Sequence, residues 1–346
     1  MSTTEIATVT GRHRPDPRRG LDLRRLHGPL LWSSAAMTAL ALFSLGGMLV
    51  DDRTLLGESV WLKTFKFGFA FAIYGITLAW LLSLPHKGSR ATWWLGTVFA
   101  VTGALDVGFI VVQAARGTFS HFNSSGDSVN SIGQTVFATG VPGLFFANLL
   151  IVLILSWQRL VDRPTARAIH AGLALAVAGM ALGYLMGFTG GQLVRDANGR
   201  VVELVAGHTV LRDDAPAAEL AVRDTVEGMP LTHWSTIGGD LRVPHFVGLH
   251  GIQILLLAAF LLTRQARRHP WLRPERTRAA LVGVLALTYT GFLAITFWQA
   301  MRAQSLVHPD ARTLTVYACL TAFALTATFV VHRRGRRLVT AEQSAA

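Results

Sequence analysis

Eight stretches of about twenty apolar residues, joined by short connections and one long one, limit this chain to very few folds. A bilayer core of roughly 30 Å is crossed by about 20 helical residues. The runs fall at about 30–50, 66–84, 93–115, 135–157, 168–188, 244–263, 279–301 and 313–332, and none has Lys or Arg at its centre. Backbone N–H and C=O groups find no water partner in hydrocarbon, so each run is predicted to be a helix that satisfies them internally. The expected fold is an all-α, polytopic membrane bundle of eight transmembrane helices occupying residues 30–332. Composition agrees, because only 15% of the chain is charged against about 25% in soluble domains.

The connections carry the orientation. With the amino terminus placed inside, the inner segments hold 21 of the 32 Lys and Arg, and every inner connection is basic. Cytoplasmic loops collect these residues, so both termini are expected to be cytoplasmic and the location to be the plasma membrane. Residues 1–29, "MSTTEIATVTGRHRPDPRRGLDLRRLHGP", are expected to form a disordered basic tail before an uncleaved signal anchor, and residues 333–346 a short cytoplasmic tail. The net charge of +12 is spread over interfacial clusters rather than one patch, which argues against nucleic acid as a partner. The single cysteine, Cys319, lies in an apolar run and excludes an intrachain disulfide.

Residues 189–243 form the one long connection, on the outer side. "QLVRDANGRVVELV" places Asn198-Gly199 between β-rich flanks, a hairpin signal because both residues tolerate positive φ. A small extracytoplasmic cap containing this hairpin is expected. Gly179, Gly183, Gly187 and Gly191 recur every four residues and predict a flat face for close helix packing. Pro142 is expected to kink its helix, and Asn148 to act as interhelical glue.

Polar residues inside the runs are costly and mark candidate sites. Asp106 is the only acid within a run, about 15 Å below the outer boundary at 1.5 Å per residue, with Gln113 on the same helical face. His250 and Gln253 share a face of the sixth span, and Tyr289, Thr296 and Gln299 line the seventh. Their matching depths predict an outward-facing polar site between spans three, six and seven, where Asp106 meets His250. Lys66, beside Lys63 in "WLKTFKF", either snorkels to the outer interface or turns inward as counter-ion to Asp106 or as an anion contact.

Outer residues His121, His208, Asp240 and His245 offer N and O ligands for a divalent metal, although no HExxH, HxxxH or CxxC spacing is present. A b-type haem is not expected, since His250 has no intramembrane histidine at its depth. P-loop and nucleophile-elbow motifs are absent.

"HFVGLHGIQILLL", preceded by "WSTIGGDLRVP", together with "VWLKTFKFGFAFAIYGITLAWLL" and "QAARGTFSHFN", resembles a family of uncharacterised bacterial multi-pass membrane proteins. The likeness runs from span two through span six. It implies an acid at Asp106 and a His-Thr-Val at His208, and it carries no activity. The loop "LRDDAPAAELAVRDTVEG" departs from the Gly-rich pattern of that family. Three function classes stay open: binding or transport of a small solute or protons, a membrane-embedded acid/base or metal-dependent enzyme, and a sensor or accessory subunit with a membrane partner.

Overall fold

The computed structural model describes residues 25–158, 160–212, 215, 223–224 and 228–344. Among these, eight α-helices are each long and apolar enough to cross a membrane, so the chain is a multi-pass membrane protein in contact with lipid. They are α1 (Gly28–Val50), α2 (Leu62–Ser83), α3 (Ser89–Ala115), α4 (Ser128–Ser156), α5 (Arg163–Tyr184), α6 (Arg242–Gln265), α7 (Glu275–Met301) and α8 (Ala311–Ser344). The helices overrun the apolar stretches. Backbone hydrogen bonding continues past the hydrocarbon into interfacial turns, where His27 caps α1 by accepting from Leu30 N and Asp127 caps α4 by accepting from Asn130 N. The basic segment at 333–337 belongs to α8 rather than to a separate tail. Residues 1–24, and with them most of the expected amino-terminal tail, lie outside the described residues.

The helices pack as two neighbouring groups. In the first, α1 lies on α2, and α3 packs on α1, α2 and α4; in the second, α6 packs on α5 and α7, and α8 on α7. The tightest seam is α5 against α6. Gly172 faces Ile252, Gly179 meets the backbone of Gly248 and Leu249, and Gly183 lies under the His245 ring. These small residues let the two backbones approach, as the sequence pattern predicts. Gly187, in the 3₁₀ turn Leu185–Phe188 that follows α5, faces open space, so the flat face ends with the helix.

The groups are sealed at one end. Leu78, Leu81, Phe99, Ile151, Leu155, Ile169, Leu173 and Ile252 form one buried cluster drawn from α2 to α6, in the half of the bundle nearest the chain termini. Tyr74 donates to Asn148 Oδ1 at 2.9 Å within it, which ties α2 to α4.

At the opposite end the connections form a continuous loop layer. Among the described residues three two-stranded antiparallel sheets lie in it: β1 (Thr54–Leu55) with β2 (Glu58–Ser59), β3 (Gln192–Arg195) with β4 (Val201–Leu204), and β5 (Thr209–Val210) with β6 (Gly239–Asp240). The hairpin at residues 192–204 is present, but its turn differs from the expected two-residue form. Of the Asn198-Gly199 pair only Gly199 has positive φ, and Asp196 closes a five-residue loop by accepting from Asn198 N and Arg200 N. A carboxylate that caps two backbone donors replaces the second left-handed residue. Ala197 N to Gly117 O, Val205 N to Phe122 O, Ser305 Oγ to Ser235 O and the contact of His233 Nε2 with Leu56 O stitch four connections together.

Candidate functional site

Apart from Asp106, the polar residues singled out in the third and seventh spans are satisfied one by one. Gln113, fully buried, donates to Asn130 at 3.0 Å and accepts from Arg116 at 2.8 Å, which fixes the turn between α3 and α4. Tyr289 donates to Val247 O on α6, Thr296 donates to Leu293 O, and Gln299 donates to Ser305 O while accepting from Tyr317. In the sixth span, Gln253 reaches Thr77 of α2 at 3.4 Å, and His250 lies beside it, stacked parallel to Phe246.

Asp106 is 5% exposed, and its carboxylate lies over Gly140 of α4, where any Cβ would collide with it. Its Oδ1 has no hydrogen-bond partner. No interaction joins it to His250 among the described residues, because α3 packs on α1, α2 and α4 while α6 packs on α5 and α7. One polar site enclosed by spans three, six and seven is therefore not what the packing builds. Lys66 likewise does not meet Asp106. Its Nζ donates to both oxygens of Glu58, at 3.1 and 3.2 Å, and to Thr232 O.

What the structure does bring together lies higher, where α2 and α6 begin beneath the loop layer. Lys63 and Lys66 sit in the first turns of α2, and Arg242 starts α6. Arg242 binds Asp240 of β6 through Nε at 3.0 Å and Nη2 at 2.7 Å, and donates to His233 O. His233 Nδ1 stands 3.8 Å from Glu58, and its Nε2 contacts Leu56 O at 3.2 Å. Asp224 accepts from Gln192, from His208 N and from Thr209 N, and lies 3.9 Å from His208 Nδ1. His121 packs against Phe67 and Phe137 and contacts Ser120 Oγ through Nδ1 at 3.1 Å.

Burial, with the positive charge of Lys63 at both and of Arg242 at His208, holds His121 and His208 well below the usual imidazole range. A small cavity lined by Thr209, Asp224, His233, Ser235 and Arg242 adjoins the cluster. It has room for about one water, beside the unpartnered Thr209 hydroxyl.

Backbone strain collects around the same place. Of the five non-glycine residues with positive φ among the described residues, Leu56, Phe122, Leu231 and His233 all border this cluster. Such conformations cost on the order of 1 kcal/mol or more each and persist where the surroundings over-determine them, often at functional sites.

The metal candidates do not assemble. Asp240 is taken by Arg242, and His245 turns to α5 with Nδ1 2.7 Å from Gly179 O. Among the described residues no three His, Cys, Asp or Glu side chains form a set able to hold a metal ion. Sequence reasoning singled out Lys66, His121, His208 and Asp240 but missed Glu58, Asp224 and Arg242 as their companions. The one available signal was the run "GGDLRVP", an acid two residues before an arginine at a helix start. No family model, curated protein or solved structure matches the chain.

Proposed function

We propose that the protein binds a small solute from the outer face of the plasma membrane, at the charged cluster beneath the loop layer, as the receiving step of transport. The carrying observation is where that cluster lies. Lys63 and Lys66 come from one helix group and Arg242 from the other, and the apolar seal between the groups occupies the opposite half of the bundle. Interfaces between packed units are preferred ligand sites, and carriers hold cargo between bundles that rock about it. The basic connections on the terminal side support an outward-facing loop layer.

The test is a thermal-shift screen of the purified full-length protein in detergent against neutral, cationic and anionic small solutes. At least one is expected to raise Tm by several degrees, with the rise absent in His208→Ala. The reading fails if no solute moves Tm, or if every shift survives His208→Ala unchanged.

A further inference from the structure

Packing explains the size of Asp106 but not its acidity. Thr102, Asp106 and Phe109 of α3 seat against Gly143, Gly140 and Gly133 of α4, glycines whose missing side chains leave room for them. The slot over Gly140 selects for bulk and shape, which an amide or apolar side chain would supply equally well. An acid fills it instead, 5% exposed and about 14 Å below the outer end of α3 at 1.5 Å per residue. Among the described residues no hydrogen bond or ion pair reaches its carboxyl oxygens, and Oδ1 is wholly enclosed.

The helices packed around it offer no cation. α1 and α4 contain no Asp, Glu, Lys, Arg, His or Tyr at all. On α2, Lys63 and Lys66 lie in the first turns, where their electrostatic neighbours include Glu58 and Arg242 but not Asp106. Tyr74 of the same helix is bound to Asn148. Arg90 stands in the first turn of α3, at the opposite end from the loop layer. Tyr184, the last residue of α5, is within electrostatic range of Asp106 and brings a neutral hydroxyl. A carboxylate stripped of water with neither donor nor cation is costly inside a membrane, and a bound proton removes that cost.

We propose that Asp106 is a proton-binding site inside the bilayer, holding one proton at neutral pH and releasing it to water under alkaline conditions. The exchange is an acid–base step alone: one O–H bond forms or breaks, and no electron is transferred. It stands apart from the solute-binding reading, because the cluster beneath the loop layer shares no residue with the α3–α4 slot. Carboxyls that exchange protons at such depth mark proton pathways. A hard metal cation would need several oxygen ligands, and Asp106 is the only acid within the apolar runs.

The test is infrared difference spectroscopy of the full-length protein in detergent between pH 9 and pH 6, a window well above the titration of an ordinary aspartate near about pH 3.9. The carbonyl band of a protonated carboxyl is expected to grow as pH falls and to shift in heavy water. It should vanish in Asp106→Asn and return, displaced, in Asp106→Glu, with both variants matching the wild type in gel filtration. If Asp106→Asn does not fold, labelling of the wild-type protein with dicyclohexylcarbodiimide decides, since this reagent adds to protonated carboxyls in apolar surroundings. Mass spectrometry is then expected to find at least fivefold more label on the Asp106 peptide at pH 6 than at pH 9. A band or label unchanged between the two pH values means a permanently neutral acid that only packs, and overturns the proposal. Absence of both at either pH means a permanent carboxylate and overturns it too. A midpoint that moves when sodium replaces potassium at constant ionic strength makes the slot a cation site and overturns the proton assignment.

Discussion

His121 and His208 are imidazoles kept from protonating by their surroundings, and this makes them a pH-dependent contribution to stability. Burial comes first; the charge of Lys63 on α2 acts in the same direction at both, and that of Arg242 on α6 at His208, where Asp240 opposes them. In the unfolded chain a histidine takes up its proton near pH 6.5; in the fold both wait for a much lower pH. The unfolded state therefore binds more protons as pH falls below about 6.5, and stability drains in that direction. Each such group contributes at most about 1.4 kcal/mol per pH unit. Tm is expected to fall from pH 7.5 to pH 5, and the fall should be shallower in His208→Asn and in His121→Gln. Slopes identical to the wild type in both variants would mean these imidazoles titrate freely. Asp106 behaves differently as a residue. The sequence marked its burial, which follows from its place in an apolar run, but its neighbour is the bare backbone at Gly140 and not the imidazole expected from matching depth. Depth is read along one helix, whereas contact depends on how helices rotate about their axes.

At the scale of the helices, apolar length fixed all eight and glycine spacing fixed their closest seam. Length works because a hydrocarbon slab admits one solution per run. Glycine spacing works because a missing side chain leaves the same gap whatever lies opposite. The turn at Asn198-Gly199 was only half legible, since Asp196 caps the loop through its side chain and relieves Asn198 of the left-handed conformation. The glycine argument sharpens into a comparison between that helical face and the turn that follows it. A Cβ at Gly179 would strike the backbone of Leu249 and Gly248, which cannot give way, while one at Gly187 meets nothing within 4 Å. Gly179→Ala is expected to destabilise by about 1–3 kcal/mol, the usual range for overpacking, and Gly187→Ala by less than about 0.5 kcal/mol, as for substitutions that touch nothing. Thermal denaturation of the two variants in one detergent checks this. Equal losses would place the α5–α6 seam elsewhere.

Across the whole molecule, the candidate site arises from segments far apart in sequence. Glu58 and Lys66 precede Asp224, Asp240 and Arg242 by more than 150 residues, and they meet because two helix starts emerge under the same loop layer. No periodicity records such a meeting. The residues legible beforehand were those whose chemistry is unusual at an interface, Lys66 and the outer histidines; their partners carry ordinary surface side chains. Whether the layer faces outward is a separate matter of charge distribution. Lys and Arg concentrate at the terminal side, and translocation of such segments is disfavoured. Replacing Cys319 with serine removes the one native thiol. Val201→Cys then reports on the loop layer, where Val201 is 59% exposed, and Arg268→Cys on the exposed connection between α6 and α7. A membrane-impermeant maleimide applied to intact cells is expected to label the first and to leave the second unlabelled until the membrane is opened. The opposite pattern would turn the site toward the cytoplasm, and the solute it binds would then have to be sought among cytoplasmic molecules.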